Sequence, residues 1–403
     1  MWFALIVAAL LAGCASVPDG SPEADEPESS PRTEQKQDPP GRTEPDPDDR
    51  LSEDVRPPDR DGRYRRAGVP ELTDSEIDAI VDRHINEMTP RQLIAQRFVV
   101  YLPRDVSVAR PESMTGTKQL LVEEQPAGVI LYRWNYDSLA NARRLTNYIQ
   151  GIADLHGNAG RFLICADQEG GRVAAFRYAE LVRVPSAYRI GSYRDTDFVE
   201  SVAYVTAVQM AEVGLNMNLA PVLDLSSVGD SSIIGDRSFG GDPDFVSAAA
   251  GAYVSGFQRG GLISTAKHFP GHGVTRVDSH GRLPSVTMTM DALRESHLKP
   301  FAAAIDAGVP AVMTAHILFP EIDPDYPATL SEFFLQDLLR DELGFEGVVI
   351  SDGLEMGALA NNYSLDDTLE RAIRFGVDLI LLYTRYDLSD VIDRTQRLLA
   401  NGR

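Results

Sequence analysis

Short apolar runs and longer segments of helical period alternate along most of this chain. The apolar runs cover 97–102, 127–132, 161–167, 215–225, 262–268, 310–316, 347–352 and 377–383. Helical spacing of apolar positions marks 136–156, 198–213, 244–259, 290–307, 332–343, 365–375 and 388–399. Ahead of the first run, residues 74–88 place Ile77, Ile80, Val81, Ile85 and Met88 on one face of a helix, behind an Asp or Ser cap.

The runs are nearly continuous in apolar residues, so their strands are buried on both faces. Strands of that kind joined by helical crossovers build a parallel sheet. Eight such units in roughly 310 residues predict a (β/α)8 barrel, for which about 250 residues is typical. A doubly wound open sheet is the alternative, but no glycine-rich dinucleotide fingerprint follows the first run. Several runs end in a polar group: Asp167, Asp224, Lys267-His268, His316 and Asp352. In a barrel all strand C-termini open on one face, where active sites sit, so these groups should converge.

The first 70 residues follow another pattern. Residues 1–16 read M-W-F-A-L-I-V-A-A-L-L-A-G-C-A-S, an apolar run suited to a signal-peptide core and too short for a comfortable membrane span. Leu11-Ala12-Gly13-Cys14 resembles a bacterial lipobox, which predicts a lipoprotein signal peptide over 1–14 cleaved before Cys14, the lipidated first residue of a membrane-anchored lipoprotein outside the cytoplasm. No Lys or Arg precedes the apolar run, a departure from the usual pattern. Residues 15–70 are scattered prolines among Asp, Glu, Ser and Arg, which cannot bury enough surface to offset ordering entropy. They predict a disordered linker, leaving 71–403 as the folded domain. A net charge of −22 opposes nucleic acid, because like charges repel and no counter-ions are released. Cys165 is the only other cysteine and lies in a predicted strand, so no disulfide framework is expected. No cofactor is implied, and a monomer is expected.

The residue types permit hydrolysis of a glycosidic bond with retention. That reaction needs a carboxylate about 5 Å from a proton donor, across the anomeric carbon. Asp352 follows the rigid run Val348-Val349-Ile350 and suits the nucleophile. Asp278-Ser279-His280 puts a carboxylate two residues from an imidazole in a loop flanked by Gly273 and Gly281. A carboxylate on one ring nitrogen fixes the tautomer and leaves the other to exchange protons. His268, His272, His280 and His316 also admit a zinc reading, weakened because Lys267 would repel a cation. Asp167-Gln168-Glu169-Gly170-Gly171-Arg172, Arg237 and Lys267-His268 are candidates for sugar hydroxyls, with carboxylates accepting and cations donating.

In order along the chain stand D-Q-E-G-G-R-V at 167–173, L-A-P-V-L-D at 219–224, I-G-D-R-S-F-G at 234–240 and K-H-F-P-G-H-G at 267–273. D-S-H at 278–280, M-T-A-H at 313–316 and S-D-G-L-E-M at 351–356 complete the series. From about Ser75 onward the chain resembles glycoside hydrolase family 3, specifically its single-domain β-N-acetylhexosaminidases. The resemblance implies a (β/α)8 barrel that removes terminal β-linked N-acetylglucosamine with retention, from peptidoglycan fragments or chitin-type oligosaccharides. It implies Asp352 as nucleophile, His280 as acid/base, Asp278 as its orienting partner, and Asp167, Arg237, Lys267 and His268 as sugar ligands. The Asp-x-His loop is what separates this branch from the family's β-glucosidases, whose acid/base comes from a second domain; none is expected here. Ala175, Val274 and Gly353 stand where relatives often carry Arg, Asp and Asp, which leaves Arg177 to cover the first or the sugar subsite altered. Transfer of the sugar to phosphate, which a neutral histidine would not repel, and glycan binding without turnover are the competing readings.

Overall fold

The computed structural model describes residues 73–402 apart from 105, 107–113, 157–160, 227–231, 274, 276 and 384. The predicted signal peptide, Cys14 and the linker lie outside the described residues. Eight strands form one parallel sheet: β1 (Phe98–Tyr101), β2 (Gly128–Ile130), β3 (Leu163–Ala166), β4 (Met217–Asn218), β5 (Ile263–Phe269), β6 (Ala311–Thr314), β7 (Val348–Ser351) and β8 (Ile380–Leu382). Their order is β8-β1-β2-β3-β4-β5-β6-β7. A parallel bridge between Ile350 and Leu379 joins the two edges, with the Ser351 N–H donating to the Leu379 carbonyl at 2.8 Å. The sheet is thus the expected (β/α)8 barrel.

Each strand feeds side chains to two layers, as period-2 geometry requires. Val99, Ile130, Leu163, Cys165, Met313 and Leu381 pack with others inside the barrel. The alternate positions, such as Val100, Ile164 and Val349, join the larger layer between sheet and helices. Both faces are buried, which explains why most of the strands are nearly continuous in apolar residues. Cys165 is a fully buried free thiol within that interior.

Local chemistry corrects several boundaries. The first helix, Asp74–Glu87, is capped by Thr73 rather than by Asp or Ser: Thr73 and Glu76 form a reciprocal capping box. The predicted helix over 290–307 is two helices, Met290–Glu295 and Leu298–Asp306. Pro300 has no N–H to give the Ser296 carbonyl, so the helix cannot run through. The run 215–225 is regular only at Met217–Asn218. Pro221 interrupts the ladder, although Thr265 still donates to the Ala220 carbonyl at 2.8 Å and Leu223 to that of Lys267 at 2.7 Å. The segment Phe333–Glu342 is a π-helix. Its buried pairs, Phe334-Leu335 and Leu338-Leu339, fit either helix type, so polarity alone could not tell them apart.

Candidate active site

The strand ends open into a cavity of about 300 Å³ whose lining includes Asp167, Lys267, His268, Asp278, His280 and Asp352. Arg237, from the short 3-10 turn Gly235–Arg237, lines it as well. Glu169 and Arg172 join them, whereas Gln168, Gly170 and Gly171 of the same candidate stretch are not part of the lining. Asp224 and His316 also lie on this side, beyond the C-terminal ends of β4 and β6, but both are fully buried and stand behind the lining.

On one side runs a dense charge network. Lys267 Nζ lies 2.6 Å from Asp167 Oδ1 and 2.7 Å from Glu169 Oε1. Arg237 forks onto Glu169 with two hydrogen bonds of 2.7 Å. Burial pushes the Glu169 carboxyl upward, but Arg237 and Lys267 outweigh it and hold the group ionised, well below the usual carboxylate range. Glu169 sits on an antiparallel ribbon (Gln168–Gly170 with Val173–Ala174) that the run pattern did not reveal. Its side chain is 3 % exposed, and both cations claim its oxygens. Asp167, 26 % exposed, keeps an edge toward the cavity. The peptide from Lys267 to His268 is cis.

Behind this edge, Asp224 Oδ2 lies 2.6 Å from His268 Nδ1, and Asp224 Oδ1 accepts the His272 N–H at 2.6 Å. Burial opposes charge on Asp224, yet His268 holds its pKa at about 2. That carboxylate orients the His268 ring with its other nitrogen free of Asp224. His272 is placed between Thr275 Oγ1 (2.8 Å) and Ser279 Oγ (3.2 Å), and burial lowers its pKa to about 4. An unfolded histidine takes up a proton near pH 6.5, so between 6.5 and 4 the unfolded chain binds more protons and stability falls as pH falls. His272 should account for a loss on the order of 3 kcal/mol across that window. Thermal melting from pH 7 to pH 4.5 checks this: His272→Gln should give a shallower fall in Tm than the unaltered chain.

Asp352 caps the other side. Its Oδ1 accepts the Gly353 N–H at 2.8 Å, and Oδ2 has no hydrogen-bond donor among the described residues. Burial alone would raise its pKa; His316, His268 and the Gly353 N–H together bring it below the ordinary value. His316 is held by Thr329 Oγ1 at 2.8 Å and the Gly353 carbonyl at 3.0 Å. The residue after Asp352 has a steric explanation. A Cβ at Gly353 would stand 2.0 Å from Cε2 of Tyr383, so the Tyr383 ring fills the space a side chain there would need. Burial keeps the Tyr383 and Tyr132 phenols protonated, with their oxygens 3.1 Å apart, and both line the cavity. Arg177 does not take the place opened by Ala175: its guanidinium donates to the carbonyls of Gly171 and Arg172.

Asp278 and His280 form the expected pair, with Nδ1 and Oδ1 2.8 Å apart and the His280 N–H donating to the same oxygen at 2.9 Å. Their side chains are 60 % and 71 % exposed, on a loop over the cavity mouth. A carboxylate below and a carboxylate-oriented imidazole above have the chemistry of a nucleophile and a proton donor facing one cavity.

The comparisons agree with this geometry. A family model described as the glycosyl hydrolase family 3 N terminal domain matches residues 89–403. The chain is 36% identical over 271 residues to a beta-hexosaminidase of Chromobacterium violaceum, covering 66% of this chain and 74% of the relative. It is 36% identical over 285 residues to one from Stenotrophomonas maltophilia, covering 69% and 82%. Among solved structures, a family 3 beta-N-acetylglucosaminidase from Paenibacillus superposes with a TM-score of 0.73 at 35% identity. That match covers 78% of this chain but only 59% of the Paenibacillus enzyme, so the chain spans under two thirds of that relative. NagZ from Neisseria gonorrhoeae, in complex with N-trifluoroacetyl-D-glucosamine, superposes with a TM-score of 0.62 at 30% identity, covering 74% and 84%. With the barrel, the cavity and these matches in agreement, the chain belongs to glycosyl hydrolase family 3, among its β-N-acetylhexosaminidases.

Proposed function

We propose that this protein is a retaining exo-β-N-acetylglucosaminidase that removes terminal β-linked N-acetylglucosamine from peptidoglycan fragments or chitin-type oligosaccharides. The observation that carries this reading is the meeting of Asp352, the Asp278–His280 pair and the Asp167–Lys267–His268 edge in one cavity. The sugar hydroxyls bind that edge, with Asp167 accepting and Lys267 donating. Asp352 Oδ2 attacks the anomeric carbon while His280 gives a proton to the departing glycosidic oxygen, leaving a glycosyl ester on Asp352. The His280 ring, now neutral, takes a proton from water as that water attacks the ester; the sugar leaves and Asp352 is restored. Asp278 holds the ring tautomer and steadies the imidazolium. His280 is exposed at the cavity mouth, so the departing group can reach it from solvent.

One set of assays tests the reading. On a defined N-acetylglucosaminyl disaccharide and on a disaccharide–peptide fragment, the full-length chain should release free N-acetylglucosamine at a rate that added phosphate leaves unchanged. Appearance of sugar 1-phosphate would reassign it as a phosphorylase, and no turnover of even a nitrophenyl N-acetylglucosaminide would make it a glycan-binding protein. His280→Ala should cost poor leaving groups about 10²–10⁴-fold in kcat/KM and activated aryl leaving groups far less. Equal losses on both would remove His280 from the role of acid.

A further inference from the structure

The loop that carries the Asp278–His280 pair is held from two sides. On the inner side, His272 Nε2 lies 3.2 Å from Ser279 Oγ. On the outer side, the Gly357 N–H donates to the His280 carbonyl at 2.9 Å and the Ala358 N–H to the Ser279 carbonyl at 3.0 Å. Asn361 Nδ2 adds a bond to the Gly281 carbonyl at 3.3 Å. The donors Gly357, Ala358 and Asn361 belong to one turn, the helix Gly357–Ala360 and the residue closing it, which begins five residues after Asp352. The segment with the carboxylate thus grips the backbone of the segment with the imidazole.

Residue 357 has no room for a side chain. A Cβ there would stand 2.5 Å from the Gly281 carbonyl oxygen and 2.8 Å from that of His280, both inside the closest contacts a Cβ makes. Its φ is not among the positive ones, so backbone conformation does not call for glycine. The close approach of the loop does. An added methyl would have to push the His280 backbone outward by several tenths of an ångström and lengthen the two N–H bonds. Donor and nucleophile need to be held within about 0.5 Å of their working geometry, and a misplacement of about 1 Å can cost roughly 10²-fold.

We propose that Gly357 is a positioning residue for the proton donor: lacking a Cβ, it lets the turn after Asp352 fix the distance at which His280 works. The inference rests on the roles given above to Asp352 and His280. Asp352 lies on the near side of the same turn and is braced separately by Gly353 and β7, so the nucleophile keeps its place when residue 357 changes.

The test is Gly357→Ala in the full-length chain, assayed on aryl β-N-acetylglucosaminides whose leaving groups run from nitrophenol to unactivated phenol. Poor leaving groups depend on the donor and should lose about 10–100-fold in kcat/KM, while activated ones should stay within about threefold. The dependence on leaving-group acidity therefore steepens, which a general loss of folding would not produce. Equal losses across the panel, or none, would overturn the proposal. If the unaltered chain turns over no member of the panel, it is the functional reading that fails. Should Gly357→Ala not fold, amide exchange of the unaltered chain still decides. The Gly357 and Ala358 N–H groups should be protected, and exchange at the rate of a free loop would end the idea.

Discussion

Asp352→Ala should reduce kcat/KM for a nitrophenyl N-acetylglucosaminide about 10⁴-fold or more, the scale of loss when an attacking side chain is deleted. The size follows from the proposed route: without Asp352 no glycosyl ester forms, and water must displace the leaving group unaided from a site not built to hold it. The local structure predicts that the loss is chemical. Asp352 accepts one backbone N–H and offers its other oxygen to the cavity, so alanine breaks little of the fold. Melting temperature should hardly move, and N-acetylglucosamine should still bind through Asp167, Lys267 and His268. A slow fluorinated substrate should add the mass of one sugar to the unaltered chain and none to the variant. Residual turnover within about 100-fold of the original would mean that another carboxylate attacks.

How far this site was legible depended on whether a residue's partners are near it in sequence. The barrel followed from apolar runs because strands such as β3 and β7 are buried on both faces, and burial is written in polarity. Asp278 and His280 are two residues apart, so their hydrogen bond could be anticipated from the string itself. Glu169 could not be read that way. Beside Asp167 in D-Q-E-G-G-R it reads as another sugar ligand, but its partners Arg237 and Lys267 lie 68 and 98 residues on, and both are brought to it by the fold. Asp224 and His316 were expected at strand ends lining the site, yet they lie beyond β4 and β6 and brace His268 and the Asp352 turn rather than line the cavity. Gly353 showed only that a common side chain was missing. The reason, the Tyr383 ring, arrives from β8. Pro300 and Pro221 were visible signals, outweighed by the apolar pattern around them.

The glutamate has the larger consequence for stability. Glu169→Ala should destabilise the folded state by about 3–5 kcal/mol, because it leaves Lys267 and Arg237 facing a cavity wall with one carboxylate fewer. Lys267 is 2 % exposed on its side chain and would keep only Asp167. Arg237 would lose both arms of its fork. For a domain of this size, Tm should fall by roughly 10 °C. The pH dependence has a definite sign. Since Glu169 titrates in the folded state below the unfolded value near 4.3, its contribution is present above that value and is lost as acid drives the pH toward the folded pKa. At neutral pH the difference between variant and parent should therefore be at its full size, and it should shrink in strong acid. Glu169→Leu combined with Lys267→Met, which removes a cation along with the carboxylate, should lose less stability than the two single changes add up to. If Glu169→Ala instead keeps its Tm and loses only affinity for the sugar, the charge network is not what holds this wall together. Glu169 would then be the ligand that its place in D-Q-E-G-G-R suggests.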